Sequence, residues 1–242
     1  MPFPAGLAHA ILSTGVSLIL SVRDDVDIVM ASDGRVLGED LGVISDDSLK
    51  TLALNASLCL GLAGSTDAIR QILSSFGIRC RGTHPVDLLG VCQEASCPVD
   101  VDYLDARDEV TNVLRWIGRR TSTKRAFAQG PAVILAGRTA GGPALCRWHN
   151  PAHAMEATGA SGYGDALVGS LPEDGTHERS ELCRIVRAGH STHHAEERLT
   201  RAVRFCARYF GAAGPVNETV FLRRLSRGFR LVRAEPTRAA RP

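Results

Sequence analysis

Charge of one sign is the first thing this 242-residue chain lacks. It has 28 basic and 26 acidic side chains, a formal net charge of +2, which gives no reason to expect a nucleic acid or an anionic membrane as partner. No apolar run approaches the ~18 residues that a membrane span needs, and the start lacks the basic n-region of a signal peptide. HExxH and paired CxxC motifs are missing too, so no zinc site has its usual spacing. The seven cysteines (59, 80, 92, 97, 146, 183 and 206) are odd in number and scattered. Several sit in apolar strings such as Leu58-Cys59-Leu60 and Phe205-Cys206-Ala207. Reduced, buried thiols of a cytoplasmic protein are the expectation. No internal repeat and no linker divides the chain, so a single domain is expected.

What remains is ordinary for a globular protein, with 44% apolar and 22% charged residues. The informative stretch runs from Thr14 to Gly64. Residues 16–22 and 27–32 are apolar, β-branched runs separated by a polar turn at 23–26, a hairpin signature with both strands buried. The second strand delivers Asp33 into Asp-Gly-Arg, where a carboxylate at a strand end can face a cleft. Lys50 opens another pair, residues 49–54 and 57–62, which ends in Ala63-Gly64. One acid, one base and a glycine turn therefore fall on neighbouring strand ends.

Helices are expected from Ser65 to Gly77 and over 101–120, where apolar residues recur at helical spacing. Strands follow at 132–137, 143–149 and 154–158, then a Gly/Ser turn at 159–164. Helices at 181–187 and 195–210 and a last strand at 217–223 complete the order. Runs of strands separated by paired helices predict an α+β domain with helices packed outside sheets. Residues 1–16 read as a leader, 17–226 as the domain and 227–242 as a basic, flexible tail. From Arg223 to Arg241 there are seven arginines and one glutamate.

Three other features have bland readings that outweigh the sharp ones. His190, His193 and His194 could share one helical face and hold zinc, but surface histidines are the better expectation. The glycine-rich string from Gly159 to Gly164 lacks the βα context of a dinucleotide loop. Trp116 and Trp148 are expected in the core or an interface. Neither a cofactor nor a metal is expected. Asp33 and Lys50 could themselves be only a structural ion pair.

In their order, several strings resemble the proteasome-type N-terminal-nucleophile hydrolases, the proteasome subunits and bacterial HslV. Asp33-Gly34-Arg35-Val36-Leu37-Gly38 resembles the acid-bearing segment after the first hairpin of that family. Lys50 is similarly spaced, and Leu62-Ala63-Gly64-Ser65-Thr66-Asp67-Ala68 resembles the family's strand-to-helix turn. Residues 133–137 and 143–145 are similar to its central hairpin, and Ser161-Gly162 to its second Gly/Ser turn. The resemblance spans nearly the whole chain. It implies a four-layer α-β-β-α sandwich stacked in rings, working as a cytoplasmic threonine- or serine-type protease without cofactor. The implied partners are unfolded polypeptide substrate, other ring subunits and an ATPase unfoldase.

By the same resemblance, a hydroxyl at the mature N-terminus is the nucleophile and its α-amine the base. Lys50 would depress the amine pKa, Asp33 would hold Lys50, the Gly64 N–H would face the oxyanion, and Ser161 would orient the amine. A gapless register back from Asp33 places the nucleophile at Ser17. Thr14 has the more usual side chain but needs three extra residues in the hairpin. Val16 precedes Ser17 and Ser13 precedes Thr14, where self-cleaving junctions commonly have glycine. After the last long helix, residues 208–214 carry no acid and no hydroxyl except Tyr209, where catalytic relatives often have both. Two readings follow: a peptidase with Ser17 as nucleophile, or a non-catalytic subunit of the same fold acting through ring contacts.

Overall fold

The computed structural model describes residues 17–38, 42–64, 66–79, 99–121, 131–149, 156–157, 164–188 and 192–234. The expected first hairpin is present as β1 (Leu18–Arg23) and β2 (Ile28–Asp33), every residue of which but Arg23 is buried. Its turn is tied by the Asp24 carboxylate, which accepts from the Val26 and Asp27 N–H groups at 2.9 and 2.8 Å. A small hairpin that the sequence did not suggest follows, β3 (Val36–Leu37) and β4 (Val43–Ser45). The second expected pair is β5 (Thr51–Asn55) and β6 (Leu58–Ala63).

Helix α1 (Thr66–Ser75) starts just past Gly64 and ends before Gly77, whose φ of +70° suits a residue without Cβ. Helix α2 (Tyr103–Thr121) is next, with the Asp102 carboxylate accepting from the N–H groups of Leu104 and Asp105. Then come β7 (Ala132–Thr139), β8 (Gly142–His149), β9 (Glu156–Ala157) and β10 (Gly164–Gly169). Helices α3 (His177–Arg187) and α4 (Ala195–Phe210) precede β11 (Val220–Arg224) and β12 (Val232–Arg233). The chain is thus a mixed α+β protein, and no helix among the described residues is long and apolar enough to cross a membrane.

Two five-stranded antiparallel sheets form, in the orders β10-β1-β2-β11-β12 and β5-β6-β7-β8-β9. Side-chain alternation explains why strands this apolar are needed. Leu18, Leu20 and Val22 of β1 pack with Leu182, Leu199 and Val203 of α3 and α4. Ile19, between them, points the other way and joins Met30, Cys59, Ile134 and Val168, drawn from both sheets. Leu60, Leu62, Val133 and Leu135 of the second sheet pack with Ile69 and Ile72 of α1 and Val110 and Leu114 of α2. Gly61 lets the sheets approach, since a Cβ there would lie 3.0 Å from Ile19 Cγ2 and 3.1 Å from Met30 Cε.

Cys59, Cys146 and Cys206 are buried and free, while Cys183 is half-buried. Trp148 is buried as expected, but Trp116 is 40% exposed on α2. His193 and His194 are consecutive residues of a one-turn 3-10 helix with stacked rings, 4.3 Å between centroids. His190 lies outside the described residues, as do the expected leader and tail ends.

Candidate active site

Asp33 ends β2 with no solvent exposure. An isolated buried carboxylate costs many kcal/mol, so it must be paired and hydrogen-bonded. Lys50 Nζ lies 2.6 Å from its Oδ1, and both side chains are fully buried. The Leu18 N–H donates to the same oxygen at 2.9 Å, and the Arg35 N–H to Oδ2 at 2.9 Å. Lys50 is anchored just before β5 by its carbonyl, which accepts from the Leu62 N–H at 2.9 Å. Burial holds the Lys50 ammonium below its usual range, against the opposing pull of the Asp33 carboxylate.

The Asp-Gly-Arg segment is fixed on every side. Arg35 forks onto Asp46, Nε to Oδ1 at 2.6 Å and Nη2 to Oδ2 at 3.1 Å. Its Nη1 donates to the Ala212 and Gly214 carbonyls after α4 at 2.6 and 2.9 Å. The Arg35 hydrogen bond in turn holds the Asp46 carboxyl below the usual carboxylate range. Asn217 accepts from the Gly34 N–H at 3.0 Å and donates to the Asp46 carbonyl at 2.7 Å. Gly34 has no room for a side chain, because a Cβ would come 2.5 Å from that same carbonyl oxygen.

Ser17 immediately precedes the residue that donates to Asp33. It is 1% exposed, and its Oγ is buried with no hydrogen-bond partner. Its carbonyl accepts from the Ser170 N–H at 2.7 Å. Gly169, the neighbour of Ser170, has φ +99°, and a Cβ there would overlap the Ser17 carbonyl oxygen. A Gly-Ser pair at the end of β10 thus clasps Ser17.

Of the six residues singled out from sequence, four fall on these strand ends. Asp33 and Lys50 are in direct contact, and Ser17 is one residue from that contact. Gly64 lies between β6 and α1 with φ +102°. Thr14 and Ser161 lie outside the described residues. Sequence reasoning missed the Gly169-Ser170 clasp, the Arg35–Asp46 fork and Asn217. It also passed over a signal for Lys50: of 28 basic residues only Lys50 and Lys124 are lysines. A chain that otherwise uses arginine has placed a titratable amine in its core.

Among the described residues, no group of three or more His, Cys, Asp or Glu side chains could hold a metal ion. A cleft of about 570 Å³ between the β5–β6 turn and the start of α2, lined by Asn55, Ser57, Asp102 and Arg138, shares no residue with the Asp33 cluster. Neither a protein-family model nor a curated protein matches the chain.

Proposed function

We propose that the chain is a proteasome-type N-terminal-nucleophile hydrolase subunit that cleaves amide bonds of unfolded polypeptide with Ser17. One observation carries the reading: the buried Asp33 carboxylate binds both the Lys50 ammonium and the N–H of the residue after Ser17. The acid thereby touches both the lysine and the main chain one residue beyond Ser17. The three apolar layers, one between the sheets and one under each helix pair, support a four-layer α-β-β-α sandwich.

While Val16 is attached, Ser17 has no α-amine to serve as base for turnover of a peptide substrate, and no other base hydrogen-bonds its Oγ. Cleavage of the Val16–Ser17 bond frees an α-amine with a pKa of about 8, substantially neutral around physiological pH. In this reading the Lys50 ammonium lowers that pKa further, and Asp33 keeps Lys50 in place. The amine takes the Oγ proton as Oγ attacks the substrate carbonyl, then returns the proton to the departing amine nitrogen. Water cleaves the resulting ester and frees Ser17. The Gly64 N–H, close to the positive end of α1, is the donor for the oxyanion. Subunits of this kind act in rings, fed by an ATPase unfoldase and without a cofactor.

A second reading is a non-catalytic ring subunit. It is favoured by the burial of Ser17 and by the mutual neutralisation of Asp33 and Lys50. N-terminal sequencing and intact mass of the purified particle separate the two. A start at Ser-Leu-Ile-Leu, lost in Ser17→Ala along with peptide hydrolysis, is the expected result. An unprocessed Met1 or Pro2 start in an assembled particle supports the second reading.

A further inference from the structure

Asp33 is held by Leu18, Arg35 and Lys50, and of these Arg35 also reaches Asp46 and the loop that follows α4. The Arg35 main-chain N–H fixes Asp33 Oδ2, leaving Oδ1 for Lys50 and Leu18. The Arg35 side chain is locked by four hydrogen bonds, two to Asp46 and two to carbonyls of the loop that follows α4. A guanidinium fork held in this way has little freedom, and through it the Arg35 backbone is tethered to Asp46 and to the loop. That loop is itself constrained: a Cβ on Gly214 would run into Phe210 Cβ and lie 2.7 Å from the Phe210 carbonyl oxygen.

We infer that Arg35 is a positioning residue through which the loop at 211–217 sets the geometry of the Asp33–Lys50 pair. The inference rests on the reading of that pair as part of a hydrolase. It extends the site to a segment at the end of α4 that has no acid or hydroxyl of its own to offer. The loop contributes the backbone carbonyls of Ala212 and Gly214 to Arg35, and the side chain of Asn217 to Gly34 and Asp46.

Among the described residues, the charged groups that act on Lys50 are Asp33, Arg35 and Asp46. Arg35 opposes the ammonium and Asp46 favours it, so the two halves of the fork push in opposite directions. That opposition provides the test. With only two lysines in the chain, a Lys124→Arg background labelled with 15N-lysine reports on Lys50 alone. Its midpoint should rise in Arg35→Gln and fall in Asp46→Asn. Gly214→Ala, which alters no charge, should lower kcat by about 10²-fold with KM nearly unchanged, as a displacement of about 1 Å in a catalytic group does.

A Lys50 midpoint unmoved in folded variants, or moved in the same direction by both charge changes, overturns the inference. So does a folded Gly214→Ala variant with wild-type kcat. Should Arg35→Gln fail to fold, Asp46→Asn carries the titration, because that side chain is half exposed. If the wild type hydrolyses no amide, the hydrolase reading falls, and the Lys50 titration still decides whether the fork acts on the pair.

Discussion

A lysine and an aspartate that meet at 2.6 Å out of reach of solvent cannot be studied one at a time. Lys50→Ala leaves the Asp33 charge buried without its counter-ion, which costs about 3–5 kcal/mol. Loss of activity in that variant therefore says little, since loss of fold produces the same result. The double variant Asp33→Asn/Lys50→Met removes both charges and nearly keeps the volume; the amide oxygen can still accept from the Leu18 N–H, and the bond from the Arg35 N–H to Oδ2 is lost. Replacing both partners of a buried pair is often neutral for stability. We expect a folded protein with a modestly lowered melting temperature, from the one main-chain bond lost, and no peptide hydrolysis; hydrolysis at the wild-type rate would end the catalytic assignment. Thiols give an independent check on the same scale. Burial pushes the Cys59 and Cys206 thiols up to about 12, so neither forms thiolate at neutral pH. Peptide mapping after brief iodoacetamide treatment of the native protein should find both unmodified. Alkylation at either would contradict the packing of Cys59 between the sheets and of Cys206 on the sheet-facing side of α4.

Elements with strong periodicity were legible, and those defined by a distant partner were not. Helix α4 falls where its apolar spacing puts it, because Leu199, Ala202, Val203 and Cys206 all face one sheet. The first hairpin was readable because both strands are buried on two faces and so carry unbroken apolar runs. Strand β10 was hidden: only Ala166, Leu167 and Val168 are apolar between Gly164 and Gly169, too short a run to separate from a loop. Its identity depends on β1, which it pairs along its whole length from Leu18–Gly169 to Arg23–Gly164. Ser161-Gly162, the string that resembles the family's second Gly/Ser turn, lies outside the described residues, and Gly169-Ser170 is a further Gly-Ser pair that packs against Ser17. Gly169→Ala tests how far that clasp matters. The new Cβ meets the Ser17 carbonyl and the backbone must leave φ +99°, so we expect a loss of roughly 1–3 kcal/mol from strain alone. Under the hydrolase reading, the leader should also stay attached. A variant as stable as wild type and fully processed would show that β10 does not fix Ser17.

At the scale of the molecule, Asp24, Asp27 and Asp46 join segments far apart in sequence. Burial works against the Asp24 and Asp27 carboxylates, yet hydrogen bonds from Thr192 and from Ser226 and Arg224 hold both below their ordinary value of 3.8. Each folded-state pKa is depressed, so the stability it contributes is complete above the unfolded value and is lost as pH falls through the folded one. Thermal melts should therefore be flat near neutral pH and fall steeply below pH 3.8. Asp24→Asn should flatten that acid limb. None of this was readable from sequence, because the Asp24–Thr192 contact spans 168 residues.

Assembly is the last consequence of the proposed function, and it joins the residue scale to the whole. A hydroxyl nucleophile generated by cleavage at Val16–Ser17 is dangerous to a cell if it forms on a free subunit. Processing is therefore expected only once a closed ring has enclosed the site. Closed symmetry is also the usual outcome for copies that share one contact surface. Sedimentation of the purified protein should give a particle several times the 25.9 kDa of one chain. Its subunits should begin at Ser17, and Ser17→Ala should assemble to the same size with residues 1–16 retained. A stable species of single-chain mass at micromolar concentration would remove the ring. A processed monomer would go further, since it would show that cleavage needs no second copy of the chain.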